Sequence, residues 1–179
     1  NKNMVLLFIL QLTISVSVLF AKSFNSRLRV HEFRITNQLK DWKETKDSFI
    51  EFNPKGLYDI IDGGADEYIA QGLKRGIYQS LKSKEKFRCD VFVEDFGKEK
   101  KAATIFNSKK ESVYEPINLG KVKGNIKNII AEEIIGGINL YMRINYFYFE
   151  IVLSGFETAN DAITALEDFV NFYNNLLNK

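Results

Sequence analysis

Histidine and cysteine each occur once in the 179 residues, as His31 and Cys89, and proline only twice, as Pro54 and Pro116. A single cysteine cannot form a disulfide within the chain, and it leaves a cysteine-based zinc site without a second thiolate. A single histidine rules out a histidine-rich metal centre. Any serine triad would depend on His31, and there is no Gly-x-Ser-x-Gly elbow to present a nucleophile. Cys89 with His31 is a conceivable nucleophile pair, but Cys89 alternates with Phe87 and Val91, which reads as a buried thiol. The phosphate-binding loop and the calcium-binding loop both lack their required spacing. No cofactor and no metal are expected.

Charge is missing altogether between Met4 and Ala21, MVLLFILQLTISVSVLFA. A charge-free apolar run of this kind behind Lys2 reads as a signal peptide, which makes the chain an exported protein, periplasmic or secreted. The alternative is a membrane anchor formed by residues 4–21, because Lys22, Arg27 and Arg29 follow the run. The organisation is then a targeting segment over 1–21, a polar lead-in over 22–47 and one domain over 48–179.

The 25 bases and 23 acids nearly cancel, which argues against a dedicated nucleic-acid binder. They are unevenly placed, however. Fourteen bases and seven acids fall between residues 74 and 127, whereas two bases and seven acids follow residue 127. A basic middle of this kind suits a polyanion or a membrane surface, or is a solvated face.

Periodicity gives an α+β fold in the order β-α-β-β-α-β-β-β-α, an antiparallel sheet of five to six strands with two to three packed helices. Ser48–Phe52 reads as a short strand. Asn53-Pro54 then opens a helix that continues through Gly72, with Leu57, Ile61, Ala65 and Tyr68 on one stripe. Strands follow at Gly76–Leu81 and across FRCDVFVEDF, where Phe87, Cys89, Val91 and Val93 share one face. Phe92 on the opposite, more polar face indicates that this face is partly covered too. A helix over about 98–109 gathers Ala102, Ile105 and Phe106. The segment NIKNIIAEEII reads as a strand, and INLYMRI with YFYFEIVL forms a hairpin that turns near Asn145. Thr158 and Asp161 are spaced as a capping box for the last helix.

The motif Leu57, Tyr58, Ile61, Gly63, Ala65 and Tyr68, with Glu94, Asp95 and Ala102 further on, resembles an uncharacterised exported bacterial family, domain-of-unknown-function family 6599. The resemblance spans roughly residues 48–175. It implies an exported bacterial protein and supplies no activity.

Two patches stand out as candidate sites. Gly63-Gly64, flanked by Asp62 and Glu67, places two helix-breaking residues inside an expected helix. Each costs about 1 kcal/mol relative to alanine, so close backbone packing, a bend or access to a ligand must compensate. The second patch is the polar face of the hairpin, where Tyr141, Tyr146 and Tyr148 accompany Arg143 and Glu150. An aromatic face with a few charges suits a sugar, a peptide or a base, or else lies beneath a helix or forms a subunit contact. The expected function is a non-catalytic binding or accessory module for a protein or small molecule, with contact to a membrane only through the first residues. The alternatives are a hydrolase using carboxylates near Asp62 and Glu67, and a polyanion binder using the basic middle.

Overall fold

The computed structural model describes residues 28–177 except 62, 85, 86, 120–125, 127 and 157. The apolar segment and Asp62 therefore lie outside the described residues. Among the described residues, no helix is long and apolar enough to cross a membrane.

The strands are β1 (Trp42–Glu44), β2 (Ile50–Phe52), β3 (Arg75–Ser83), β4 (Arg88–Asp95), β5 (Ile129–Ile134), β6 (Gly137–Ile144) and β7 (Phe147–Ser154). The helices are α1 (Ala65–Ala70), α2 (Glu99–Ser112) and α3 (Ala159–Leu177), with 3-10 turns at Val30–Phe33 and Gly56–Asp59. All seven strands join one antiparallel sheet in the order β1-β3-β4-β7-β6-β5, and β2 takes the part of the β3 edge that β1 leaves free. This is the expected α+β fold with one strand more than the sequence indicated.

Alternation decides which side chains go where. On the first face, Cys89, Val91 and Val93 of β4 meet Phe149, Ile151 and Leu153 of β7, and the α3 residues Ala162, Leu166, Phe169 and Tyr173 close over them. The helix begins as its sequence demands: the Asp161 amide donates to Thr158 Oγ1 at 3.3 Å, and the Thr158 hydroxyl donates to the Asp161 carboxylate at 2.7 Å. On the second face, α1, α2 and the 56–59 turn cover only one end of the sheet. Leu57, Ala65, Tyr68, Ala102, Ile105 and Phe106 form a second core there with Tyr141 and Tyr148.

The lead-in is more structured than its polar composition suggests. Val30, Phe33 and Ile35 are wholly buried in the first core, and Trp42 meets Phe169 edge-on with ring centroids 4.8 Å apart. The buried Gln79 side chain bonds both the amide and the carbonyl of Ile35, at 2.9 and 2.6 Å, and donates to Glu44. Arg34 grips the same Glu44 with two bonds of 2.8 and 2.6 Å. Residues 28–44 are thereby fixed to β3 by side-chain contacts that no local pattern announces.

The expected helix from Asn53 to Gly72 is not continuous. Asn53 does cap, accepting from the Gly56 amide at 3.0 Å, but the chain then makes one 3-10 turn and breaks at Gly63-Gly64. Both glycines have left-handed backbones, with φ of +86° and +76°. Close packing, the structural reason expected for the pair, is not found: among the described residues, nothing lies within 4 Å of where a Cβ would sit on either one. The requirement is conformational. Gly64→Ala should therefore destabilise the chain by about 1 kcal/mol, the cost of a left-handed alanine, despite the free space around it. Urea denaturation measures this, and an unchanged or raised midpoint would contradict the left-handed turn.

Cys89 is fully buried and His31 is exposed, and no hydrogen bond joins them. Burial pushes the Cys89 thiol well above its ordinary range, so it is held as the unreactive thiol. A thiol reagent should label Cys89 slowly in native buffer and rapidly in denaturant. Rapid native labelling would show that the β4–α3 layer opens readily.

Candidate functional site

The second face of the sheet carries a row of polar residues where the helices stop covering it. Register sets Glu94 beside Tyr148 and Phe92 beside Glu150 across β4 and β7, and Glu150 beside Tyr141 across β7 and β6. Ile61, Gly63, Gly64, α1 and α2 rise over this row and leave a pocket of about 200 Å³. Phe92, Glu94 and Glu150 come from the sheet, Tyr68 from α1, Lys109 from α2, and Ile61, Gly63 and Gly64 from the chain ahead of α1. Of the two patches singled out in the sequence, Gly63 and Gly64 of the first and Glu150 of the second line this pocket.

Its electrostatics are unusual for a sheet surface. Glu94 is 3% exposed, and its Oε2 has no hydrogen-bond partner among the described residues. Burial and then the neighbouring charge of Glu150 push the Glu94 carboxyl well above the usual carboxylate range, and Lys109 offsets only part of this. Burial raises Glu150 as well, against the pull of Lys109 and of bonds from Asn139 and Tyr68. Those bonds are long, both at 3.4 Å. Tyr68, Tyr141 and Tyr148 are all raised, chiefly by burial and then by the carboxylates around them, so their hydroxyls keep their protons. The Tyr148 hydroxyl and Asn139 Oδ1 are also buried without partners among the described residues.

The predicted site residues fare differently. Gly63 and Gly64 form the rim. Glu67 points elsewhere: it accepts from the Ser108 hydroxyl at 2.9 Å and pairs with Lys109 at 3.6 Å, tying α1 to α2. Tyr141 donates to Glu132 at 2.8 Å and accepts from Asn139 at 2.9 Å, so it belongs to the polar row beside the pocket. Tyr148 is wholly buried beneath α1, 6.3 Å from the Tyr68 ring. Arg143 lies next to Tyr148 on β6 but turns its guanidinium to the Asn145 carbonyl, at 3.1 Å. Tyr146, expected on this face, sits in the hairpin turn and stacks on Phe147 at the edge of the first core, with centroids 4.5 Å apart. Glu94 and Lys109 were missed as site residues. The one sequence signal for them was Phe92, an aromatic on the nominally wet face of β4.

The basic middle of the chain gathers at a different place. Lys74, Arg75, Lys98 and Lys101 line a second hollow of about 560 Å³ at the start of α2, where Arg75 pairs with the buried Asp95 at 3.5 Å. Among the described residues, no three histidine, cysteine, aspartate or glutamate side chains converge to hold a metal ion.

No family model matches the chain, and no curated protein matches it. Its structure is similar to the crystal structure of the extracellular domain of PknH from Mycobacterium tuberculosis, with a TM-score of 0.51. The match covers 82% of this chain and 95% of that one at 13% sequence identity. At that identity the likeness speaks for the fold alone.

The raised Glu94 carboxyl has a consequence for stability. The folded chain holds a proton there that the unfolded chain gives up near the ordinary glutamate range, so stability is highest below that range and falls as pH rises through the folded value. Each unit of upward shift costs about 1.4 kcal/mol once the unfolded state is ionised. Glu94→Gln, which carries no proton to lose, should melt higher than the parent at about pH 8 and alike at about pH 4. Thermal melts at the two pH values test this. A constant difference between them would mean that Glu94 is ionised in the fold.

Proposed function

We propose that the chain is an extracytoplasmic, non-catalytic binding module whose ligand enters the pocket between Gly63-Gly64, α1, α2 and the second face of the sheet. One observation carries the reading. A buried carboxylate oxygen, Glu94 Oε2, lines a pocket and has no partner among the described residues. A buried polar group left unsatisfied costs about 1–3 kcal/mol, and more if it is charged, so chains retain one where a ligand completes it. The extracytoplasmic setting is supported by the charge-free run from Met4 to Ala21 and by the resemblance to an exported family. It also agrees with the extracellular origin of the domain whose fold is similar.

A hydrolase reading has one observation in its favour, the pair of carboxyls at the pocket floor. General acid and base roles arise where surroundings drive two groups apart in pKa. Here burial raises both Glu94 and Glu150. Among the described residues, no serine, cysteine or histidine lines the pocket, and Glu67 is engaged with Ser108 and Lys109. Binding is the better account.

Amide resonances followed during titration with a panel of small amines, sugars, amino acids and carboxylic acids test the reading. Shifts should converge on Gly63, Gly64, Phe92 and Glu150 for at least one compound class. A panel that leaves these residues undisturbed while shifting others would overturn it.

A further inference from the structure

The pocket's donors and acceptors do not balance, and the direction of the imbalance identifies what fits; this step rests on the binding reading above. Acceptors dominate. Of the lining, Glu94 Oε2 has no partner among the described residues and Glu150 receives only two long bonds; next to the lining, Asn139 Oδ1 and the Tyr148 hydroxyl are also without partners there. Around them stand Glu67 on α1 and Glu132 on β5, the latter accepting from Tyr141. Among the described residues, the one cationic side chain lining the pocket is Lys109, and its ammonium is placed on Glu67 at 3.6 Å. Among the described residues, neither Glu94 nor Glu150 has an ion pair.

Lys109 also shows what this environment accepts. Its ammonium lies 5.3 Å from the centre of the Tyr68 ring, a cation over an aromatic face at the pocket wall. Phe92 supplies a second ring at the floor. A metal ion is disfavoured, since no three suitable ligands converge, whereas a single cationic nitrogen needs only a carboxylate and a ring. We propose that the pocket receives an organic cation, an ammonium or guanidinium group on a small ligand, set against Glu94 and Glu150 and flanked by the rings of Tyr68 and Phe92.

The proposal has a proton signature that a neutral ligand would lack. In the free chain burial, and then the charge of Glu150, favour the protonated form of Glu94, and Lys109 offsets only part of this. The groups that act on it are Glu150 and Tyr148 from β7, Lys109 from α2 and Tyr68 from α1, while Glu67, Tyr141 and Glu132 stand one step further out, against Tyr68 and Glu150. The tyrosines stay protonated, and Lys109 with Glu67 is already paired, so the carboxyl pair is what responds. An arriving cation stabilises the ionised pair, and the Glu94 proton leaves to buffer. Affinity should then rise with pH, by up to about tenfold per unit while the free site is protonated.

Titration calorimetry on the full chain with butylammonium and methylguanidinium, in two buffers of different ionisation enthalpy, tests this against butanol and glucose. Both cations should bind with release of about one proton and tighten from about pH 6 to pH 8. Glu94→Gln should abolish the proton release and weaken binding by about tenfold or more, and Glu150→Gln should weaken it likewise. Thermal melts confirm that each variant is folded. Butanol binding as well as butylammonium, or cation binding indifferent to pH and to Glu94→Gln, would overturn the proposal. Should glucose or another neutral or anionic compound shift the Gly63, Gly64 and Glu150 resonances while the cations do not, the ligand class is wrong and the pocket reading survives. If no compound of any class reaches those residues, both fall together.

Discussion

The structure depends on the β4–β7 pair being covered from both sides. These two strands sit at the centre of the sheet, each with a neighbour on its other edge, and cores form on both of their faces. A central strand in a one-sided antiparallel sheet can send its polar residues to water. In β4 and β7 that freedom is lost at one end, because α1 and α2 cover the row holding Glu94 and Tyr148. The alternation that builds the first core so cleanly therefore forces a glutamate into the second. Its upward pKa follows from that geometry and needs no special chemistry.

The edges of the sheet are handled by segments that look irregular in sequence. The open side of β3 is shared between β1 and β2, three residues each, which leaves no long edge free for pairing with another chain. Next to β5, Pro116 bridges to Glu132 and the Ile117 amide bonds the Ala131 carbonyl at 2.8 Å. The lead-in is therefore part of the domain. Its register is fixed by Gln79, whose side-chain amide takes the place of a backbone partner for Ile35.

Features with a short period were legible in the sequence. The hairpin is one, where Ile138, Leu140 and Met142 face Phe149, Ile151 and Leu153 as alternation requires. The α3 stripe from Ala162 to Tyr173 is another. The segment around Gly63-Gly64 was misread because Leu57, Ala65 and Tyr68 are all buried, as a continuous helix would bury them. A 3-10 turn, a left-handed glycine pair and a fresh helix bring the same residues to the same core by another route. Periodicity reports burial, and burial alone does not distinguish the two. Glu94 was missed for a related reason. An acid at an alternating position normally marks the wet face, and it is α1 together with α2, which follows directly on β4, that turns this face dry.

A comparison within the same sheet separates structural from functional polarity. Gln79 is as deeply buried as Glu94, and it makes three hydrogen bonds to Ile35 and Glu44. That is how a buried polar side chain earns its place in a fold, by satisfying its own groups and its neighbour's. Tyr173 leaves its hydroxyl unpartnered in the first core, but a neutral hydroxyl is a modest penalty. Glu94 has no such excuse. It can ionise only at the expense of a second carboxyl beside it, and the nearest ammonium is committed to Glu67. An apolar residue of similar size would relieve the strain and still fill the second core. The chain instead keeps the acid under a turn of two left-handed glycines, at the point where the helices stop covering the sheet. An ionisable group left in this state, lining a pocket and without a partner for its Oε2 among the described residues, is the local inconsistency that the proposed ligand would resolve.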